Sequence, residues 1–359
     1  MQVRTIREAD VSGKRVLVRI DFNVPIKGGT VADDLRIRAV LPTLEFLKQA
    51  GASNIILLTH VGRPEGKVVE ELKVAPVEAR LRELTQIPCE LKENLRFDPR
   101  EEANDEGFAK ELAALGDIFV NDAFAVSHRA AASIVAITRF LPSYAGLLVE
   151  EEISSHSQAL IPQPGSIAII GGAKFETKQP LISKLLAHYS ALLLGGALGN
   201  DVIKARGMPF GASLVSAMPV PIDIASDEKL YVAQDAIVRS TETKEAREAL
   251  INDIRSAEAI VDIGPRTSGQ WAAMLAQAPF ILWNGPMGIY EEGFTAGTEA
   301  LAAALAKSGA SAVVGGGDTA AAVAQSSFDS KKVFISTGGG AMLEFLVAGT
   351  LPALEPLTK

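Results

Sequence analysis

The chain has 359 residues, enough for two domains, and its 48% hydrophobic and 22% charged residues are typical of a soluble globular protein with a large core. A formal net charge of -8 without any basic run argues against nucleic-acid binding. No apolar run reaches the roughly 18 residues of a membrane span. The N-terminus lacks the apolar stretch of a secretion signal, and Cys89 is the one cysteine, which fits a reducing compartment. We therefore expect a cytoplasmic protein without a disulfide or a membrane partner.

Short β-type runs alternate with helical stretches, a pattern typical of parallel α/β sheets. The predicted strands are Val16–Ile20, Asn54–Leu58 and Ile118–Val120 in the first half, and Ile167–Ile170, Ala191–Leu194, Ala259–Asp262, Phe280–Trp283, Ala312–Val314 and Val333–Ser336 in the second. The predicted helices include Arg36–Ala50, Lys178–Tyr189 and Thr295–Lys307. The second of these carries one apolar stripe that we expect to be buried, formed by Leu181, Ile182, Leu185, Leu186 and Tyr189.

The residues that follow the strands differ between the two halves. Charged and polar segments follow in the first half (RIDFNVP, THVGRP and NDAFAVSHR), and glycine turns follow in the second (GGAK, GGAL, NGPMG, GGGDT and TGGG). Ligands of open α/β sheets bind beyond the carboxyl ends of the strands. The first half therefore predicts a small anion bound by side chains, and the second predicts phosphates approached by backbone amides. Between the halves, EEEISSHSQAL has helical composition and IPQPG is a break, so we place the boundary near residues 150–161 and expect a linking helix.

The second half contains neither GxxxxGK[ST] nor a clean GxGxxG, which counts against a P-loop ATPase and a standard dinucleotide dehydrogenase. One glycine turn alone is only a tight turn, but five together favour a phosphate-binding surface. Lys174 and Lys178 lie four residues apart at the start of a predicted helix, where they would share one face and repel each other. A bound polyphosphate would resolve that repulsion; the alternative is two solvated lysines.

Two carboxylates complete the nucleotide side. Asp318 follows Gly315–Gly317 at the start of an alanine-rich helix, where it is either a helix cap or an anchor for magnesium beside phosphates. The preceding glycines favour the metal. Glu291 is either a hydrogen-bond acceptor for ribose hydroxyls or an ordinary surface carboxylate.

Acidic, amide and basic side chains follow the strands of the first half. Asp21 and Asn23 alternate after a strand and should point the same way. The expected anion pocket also contains Arg36, His60, Arg63 and Arg129. His60 is either a donor to the anion or a loop cap, and Arg96 is interpreted as structural. Neither Cys89 nor His128 belongs to a recognisable nucleophile–base pair, which favours chemistry by positioning and charge neutralisation.

Taken together, these motifs resemble the phosphoglycerate kinase family. RVLVRIDFNVP resembles its N-terminal signature, and LTHVGRP, ENLRF, NDAF with HRA, IIGGAKFETK, DIGP, WNGPMG, GGGDT and STGGGA follow in the family's order, from about Val16 to Ala341. The resemblance implies two Rossmann-like, doubly wound parallel-sheet domains joined by a hinge helix. It places a substrate domain at residues 1–152, a nucleotide domain at 161–344, and a C-terminal tail at 345–359 that returns to the first domain.

The resemblance also implies ligands and roles. Substrate binding, to 3-phosphoglycerate, falls to Asp21, Asn23, Arg36, His60, Arg63 and Arg129. Binding of ATP or ADP falls to Gly172, Ala173, Lys174, Lys178, Gly195, Asn284, Pro286, Glu291, Gly316, Gly317, Asp318 and Thr319, with Mg²⁺ at Asp318. The implied reaction is reversible in-line phosphoryl transfer from 1,3-bisphosphoglycerate to ADP after hinge closure. Arg36, Lys178 and the amides around Gly339 would stabilise the moving charge. A monomer is expected.

The sequence departs from the family pattern at several positions. Gln163 or Pro164 stands where the family usually has a substrate-contacting arginine, and residues 149–153 are acidic where lysine is usual. Ala131 ends HRAA in place of HRAH, the stretch between Gly211 and Asp262 is short, and Ile260 replaces a common glycine. Two alternatives follow. One is a nucleotide-binding relative with weakened catalysis or a regulatory role, and the other, disfavoured by the missing fingerprint, is a nicotinamide dehydrogenase.

Overall fold

The structure, a computed structural model, describes residues 1–359 and divides the chain into two compact units. Unit 1 comprises Met1–Ser157 together with Gly340–Lys359, and unit 2 comprises Gln158–Gly339. The chain therefore leaves unit 1, forms all of unit 2, and returns.

Unit 1 is built on a five-stranded sheet that is parallel throughout, in the order β5-β4-β1-β6-β7. Its strands are β1 (Arg15–Ile20), β2 (Ile26–Lys27), β3 (Thr30–Val31), β4 (Asn54–Leu58), β5 (Glu90–Leu91), β6 (Ile118–Asp122) and β7 (Ser143–Ala145), with β2 and β3 forming a separate hairpin. Its helices before the chain enters unit 2 are α1 (Leu35–Gln49), α2 (Ala75–Leu84), α3 (Pro99–Glu102), α4 (Glu106–Ala113) and α5 (Leu147–Leu160), the last of which extends past the boundary at Ser157.

Helices cover both faces of this sheet because its central strands are apolar on both sides. Val16, Val18 and Ile20 belong to one core cluster, which also contains residues of α1 and α2. Leu17 belongs to a second cluster on the other face, together with Phe119 and residues of α4. The alternation of side chains along β1 thus assigns successive residues to opposite cores.

The carboxyl end of β6 fixes the start of α5. Oδ1 of Asp122 accepts hydrogen bonds from the backbone N–H groups of Leu148 at 3.0 Å and Val149 at 3.3 Å. Such a carboxylate satisfies amides that have no partner within the helix. The other oxygen of Asp122 is buried without a hydrogen-bond partner, and burial raises the pKa of this carboxyl to about 6.

The last twenty residues pack within unit 1. Helix α12 (Gly340–Ala348) places Phe345 against Phe124, with ring centroids 5.9 Å apart. Farther along, the N–H of Ala353 donates to Ser127 at 3.0 Å, and the N–H of Arg4 donates to Leu357 at 2.8 Å. The segment beginning at Gly340 is therefore part of the first unit, whereas the sequence places the returning tail at 345–359.

Unit 2 is built on a six-stranded parallel sheet in the order β10-β9-β8-β14-β15-β16. Its strands are β8 (Ile167–Ile170), β9 (Ala191–Leu194), β10 (Leu230–Tyr231), β11 (Asp235–Ser240), β12 (Ala246–Leu250), β13 (Glu258–Ile263), β14 (Phe280–Asn284), β15 (Ser311–Gly315) and β16 (Val333–Ile335). Its helices are α6 (Phe175–His188), α7 (Gly196–Ala205), α8 (Ile222–Ala225), α9 (Pro265–Leu275), α10 (Ala296–Ser308) and α11 (Gly317–Ala324). Numbered within the sheet, this is the 3-2-1-4-5-6 order of doubly wound folds, whose switch point lies between β8 and β14.

One predicted strand lies in a different sheet from the others. The prediction at Ala259–Asp262 is confirmed as β13, but β13 pairs antiparallel with β11 in a three-stranded sheet of order β12-β11-β13. The alternation rule that suggested a parallel sheet fails here because β11 and β12 form a hairpin that offers β13 an antiparallel edge.

The remaining predicted elements are confirmed, with ends that shift by a few residues at most. Asn54–Leu58, Ile167–Ile170 and Ala191–Leu194 match residue for residue, and all five members of the predicted apolar stripe around α6 are buried. The short strands β5, β7 and β10 were not predicted, since two or three residues carry too little periodicity. None of the helices is long and apolar enough to cross a membrane.

Candidate active site

Polar side chains of unit 1 meet beyond the carboxyl end of β1. Asp21 is buried, and its Oδ2 accepts a hydrogen bond of 2.5 Å from Nη1 of Arg36, in the first turn of α1. The same Nη1 lies 3.4 Å from the carbonyl oxygen of Asn23. Oδ1 of Asn23 accepts from the N–H of Gly62 at 2.9 Å, which ties the loops after β1 and β4 together. The structure therefore brings together Asp21, Asn23 and Arg36.

His60 lies at the end of β4 and is only 1% exposed. Its Nδ1 is 3.2 Å from Nη2 of Arg19 and 3.8 Å from Oδ1 of Asp21. Desolvation, followed by the nearby arginines, lowers the pKa of this imidazole well below its usual range. The ring is therefore neutral at neutral pH.

Two further arginines lie beside this group. Arg96 is buried, and its Nη1 donates to the carbonyl oxygen of Gly62 at 2.9 Å. Arg96, Arg129 and Arg19 line a cavity of about 280 Å³. Burial lowers the pKa of Arg96 and of Arg19, since each is a cation removed from water. Arg63 is exposed and makes no side-chain hydrogen bond with these residues.

Three glycine turns of unit 2 are joined by backbone hydrogen bonds at the switch point of its sheet. The N–H of Gly171 donates to Asn284 at 2.9 Å, and the N–H of Gly196 donates to Met287 at 2.9 Å. A Cβ at Gly171 would lie 2.0 Å from the carbonyl oxygen of Pro286, so only glycine permits this approach. The turns after β8, β9 and β14 thus form one continuous backbone surface.

The two lysines of the GGAK turn do not share a helical face. Helix α6 begins at Phe175, and Lys174 precedes it with a left-handed backbone of φ 65°. The prediction of a common face is therefore wrong, because the chain changes direction at Lys174 before the helix begins. Lys178 lies in the first turn, and burial lowers the pKa of its ammonium group.

A hydrogen-bonded pair outside the predicted site holds the start of α6. Oγ of Ser216 accepts from the N–H of Phe175 at 2.8 Å, and Ser216 donates to Oδ2 of Asp201 at 2.8 Å. The N–H of Ser216 donates to Oδ1 of the same carboxylate at 2.6 Å. The pair satisfies an N-terminal amide of the helix that carries Lys178.

Helix α11 begins at the GGGDT turn. Gly316 precedes it with φ 94°, a conformation that favours glycine. Asp318 lies in the first turn, and Thr319 is fully buried with its Oγ1 lacking a hydrogen-bond partner. Buried hydroxyls without a partner are rare, and this one lies at a helix N-terminus, where backbone N–H groups favour anions.

The other predicted contacts lie on neighbouring loops. Asn284 ends β14, Pro286 abuts Gly171, and Glu291 lies in an exposed single turn after NGPMG. Gly339 precedes α12, and the N–H of Gly338 donates to Oγ of Ser336 at 3.0 Å. Gly172, Ala173, Gly195 and Gly317 belong to the turns already described.

Asp318 is the one carboxylate at this turn, which suits a hard cation that takes most of its ligands from phosphate oxygens and water. No group of three or more histidine, cysteine, aspartate or glutamate side chains could hold a metal by itself. Mg²⁺ is commonly bound by one or two carboxylates together with phosphate oxygens and water. The exposed Asp318 carboxylate in the first turn of α11 matches that requirement.

Sequence reasoning missed Arg19 and the cavity that Arg96 lines. Arg19 is the one charged residue inside the apolar run of β1, and that exception was the available signal. Arg96 follows β5, a strand too short to be predicted, so its position at a strand end was not visible. The Asp201–Ser216 pair had no sequence signal, since 15 positions separate its members.

These features define a two-unit α/β enzyme of the phosphotransferase class, with basic side chains at one sheet and glycine turns at the other. A profile of the family described as phosphoglycerate kinase matches residues 6–92 and 88–349. A phosphoglycerate kinase of Herpetosiphon aurantiacus is 43% identical over 392 aligned positions, and one of Roseiflexus sp. is 42% identical over 393 positions, each alignment covering 99% of both chains.

Solved structures agree with these sequence relatives. Phosphoglycerate kinase from Coxiella burnetii superimposes with a TM-score of 0.85 at 37% identity, covering 99% of both chains. The enzyme from Pyrococcus horikoshii OT3 gives 0.83 at 28% identity, covering 99% of this chain and 98% of the other. The chain belongs to the phosphoglycerate kinase family.

Proposed function

We propose that the chain catalyses reversible transfer of a phosphoryl group between 1,3-bisphosphoglycerate and ADP, giving 3-phosphoglycerate and ATP. Family membership supports the reaction. The observation that carries it is that the chain has two surfaces of different chemistry. Unit 1 has side-chain cations after β1 and β4, and unit 2 has joined glycine turns after β8, β9 and β14. Such surfaces suit a small phosphorylated acid and a nucleotide polyphosphate respectively.

The acid would bind to unit 1 through Asp21, Asn23, Arg36, His60, Arg63 and Arg129. We add Arg96 to this set, because its Nη1 holds the loop carbonyl of Gly62 and its guanidinium lines the cavity with Arg129. The Asp21 carboxylate orients Arg36 through the 2.5 Å contact and offsets part of the local positive charge. A fixed guanidinium can bind a carboxylate or phosphate through two parallel hydrogen bonds.

The nucleotide would bind to unit 2 at the predicted glycine turns, with Lys174 and Lys178 beside its phosphates. Asp318 would hold Mg²⁺, which when bound neutralises phosphate charge and polarises the transferring group. Glu291 would accept hydrogen bonds from the ribose. Lys178 sits partly desolvated in the first turn of α6, where its charge acts more strongly than in water.

Transfer itself requires positioning and charge stabilisation rather than a protein nucleophile. We assign Arg36, Lys178 and the amides around Gly339 to the charge that develops on the moving phosphoryl group. The acid and the nucleotide are assigned to different units, so direct in-line transfer depends on a hinge closure that brings them together.

A coupled assay with 3-phosphoglycerate and MgATP tests the proposal. We expect turnover that depends on both substrates and is abolished in Arg36→Ala. Arg38→Ala is the matched control, since Arg38 lies two residues further along α1 and pairs with Asp34 instead. No turnover at millimolar substrate, with intact ADP binding, would favour the alternative of a nucleotide-binding relative with weakened catalysis.

We further propose that the protein is a cytoplasmic monomer. A single half-buried cysteine, whose thiol pKa is raised by burial, fits a reducing compartment. Sedimentation equilibrium of the full chain and fractionation of its source cells test the two parts separately.

A further inference from the structure

A second layer of side chains lies behind the substrate residues of unit 1. Arg19 is 3% exposed, and its Nε donates to Oγ of Ser133 at 2.9 Å. Ser133 in turn donates from its hydroxyl to Oε1 of Glu101 at 2.6 Å, and Glu101 is 1% exposed. The Nη1 group of Arg19 donates to the carbonyl oxygen of Ile20. Two hydrogen bonds of Arg19 therefore hold the guanidinium in one orientation, with Nη2 against His60.

The contact between Arg19 and His60 determines which ring nitrogen carries the proton. A guanidinium has only donors, so the atom 3.2 Å from its Nη2 must accept. A proton on Nδ1 of His60 would place two N–H groups against each other. Turning the ring over would put a carbon there and leave a buried N–H of Arg19 without an acceptor.

The nearby carboxylate does not compete for a proton on Nδ1. Oδ1 of Asp21 is 3.8 Å from Nδ1, beyond hydrogen-bond distance. That oxygen accepts from the N–H of Asn23 at 3.1 Å, and the other oxygen accepts from Arg36. Each oxygen of Asp21 therefore accepts a hydrogen bond from another group, and Oδ1 is too far from Nδ1 to accept one from His60.

We propose that Arg19 is a positioning residue that fixes His60 as the neutral tautomer with its proton on Nε2. The ring then offers an uncharged donor to a carboxylate or phosphate oxygen of the substrate. The donor role toward the substrate rests on the function proposed above, whereas the tautomer does not.

The charges around the ring favour the same state. Arg19, Arg36, Arg96 and Arg129 all disfavour a proton that would make His60 cationic, and Asp21 is the carboxylate nearest to it. Desolvation adds to their effect. The pocket thus gains a hydrogen-bond donor without adding a fifth positive charge to the four arginines. A buried fifth charge would destabilise the ligand-free protein.

Long-range ¹H–¹⁵N NMR of the full chain, labelled at its histidines and free of ligand, tests the tautomer. The chain has four histidines, and loss of one signal in His60→Gln assigns the resonance. We expect an unprotonated Nδ1 and a protonated Nε2 between about pH 6 and 8, where an ordinary histidine titrates. A proton on Nδ1 of His60, or an imidazolium there at neutral pH, would overturn the inference.

Variants test the role of Arg19. Arg19→Met with Glu101→Gln removes both buried charges together, which is tolerated better than removing one. We expect His60 to lose its single tautomer and to titrate closer to neutral pH. We also expect 3-phosphoglycerate affinity to fall about tenfold or more, the range for a lost hydrogen bond to a charged group, with ADP affinity unchanged. Ser133→Ala removes one support of Arg19 but keeps the Nη2 donor that faces His60, so it should keep the tautomer and lower substrate affinity less than the double variant does.

A combined variant tests whether Arg19 acts through His60. In a His60→Gln background, the double variant should lower 3-phosphoglycerate affinity less than it does in the parent, because the residue through which Arg19 acts is already gone. Full additivity of the two effects would refute the positioning role.

Two outcomes separate this inference from the proposed function. The expected tautomer without any 3-phosphoglycerate binding would refute the proposed function and the use of the donor. The wrong tautomer with normal binding would overturn this inference alone.

Discussion

Thr319 gives a prediction in which ligand-free stability and nucleotide affinity change in opposite directions. Its side chain is fully buried at the start of α11, and Oγ1 has no hydrogen-bond partner. A buried hydroxyl without a partner costs about 1–3 kcal/mol. Thr319→Val keeps the shape and removes the hydroxyl, so we expect the ligand-free protein to become more stable by about 1–2 kcal/mol. In a unit of this size, each kcal/mol corresponds to about 2–4 °C in Tm.

Binding of nucleotide should reverse the order of the two proteins. If Oγ1 donates to a phosphate oxygen, the variant loses a hydrogen bond to a charged group, worth about 1.5–3 kcal/mol. The Kd for MgADP should then rise by about 10-fold to 100-fold. Since a ligand stabilises the folded state according to its concentration relative to Kd, saturating MgADP should raise Tm less in the variant than in the parent.

Thermal unfolding with and without MgADP, together with calorimetric titration, measures both effects. Thr267→Val is the matched control, because Thr267 is equally buried but donates to Oδ1 of Asp235 at 2.6 Å and accepts from Gln234 at 2.9 Å. It should destabilise the protein and leave nucleotide affinity unchanged. A ligand-free Thr319→Val protein that is less stable than the parent would refute the reasoning.

Further predictions concern four other side chains. Lys178→Ala should reduce kcat about 100-fold or more while the Kd for ADP changes little, because its charge is assigned to the transition state; unchanged turnover would contradict that role. Asp318→Asn should raise the Mg²⁺ concentration needed for half-maximal activity about tenfold or more without affecting metal-free ADP binding, and an unaltered Mg²⁺ titration would remove Asp318 from the metal site. Ser216→Ala should lower kcat/KM for ATP about fivefold and leave the KM for 3-phosphoglycerate unchanged, since one hydrogen bond to the start of α6 is lost; an equal effect on both substrates would indicate general destabilisation. Because burial raises the pKa of Asp122 to about 6, its contribution to stability is present below about pH 4 and is lost as the pH rises through about 6. The free energy of unfolding of Asp122→Asn, measured with urea, should therefore rise relative to that of the parent by up to about 3 kcal/mol between pH 4 and 7. A difference that does not change with pH would show that Asp122 does not titrate in this range.

The fold was predictable wherever the sequence carries strong periodicity. Long apolar strands such as β4 and β8 were placed correctly, because burial on both faces requires an uninterrupted apolar run. The antiparallel setting of β13 was not predictable, since pairing direction depends on the hairpin of β11 and β12 rather than on the residues of β13. Local sequence largely determines whether a strand forms, but it has less influence on which strand becomes its partner.

The candidate site was predictable in its outer residues and not in its supporting ones. Asp21, Arg36 and Asp318 follow strands or begin helices, positions that a reader of the sequence can locate. The contact between Arg19 and His60 joins residues 41 positions apart, and only the register of neighbouring β1 and β4 brings them together. The left-handed backbone of Lys174 was likewise invisible, because lysine seldom adopts that conformation.

The return of the chain to unit 1 has a consequence for its folding during synthesis. Residues 340–359 leave the ribosome only after all of unit 2, yet they supply Phe345 and Leu357 to the core of unit 1. Val3 and Thr358 pair as an isolated β-bridge, so a residue that precedes unit 2 pairs with one that is synthesised after it. Domains generally fold as units while the chain is still growing. Unit 2 can therefore complete its core during synthesis before unit 1 does.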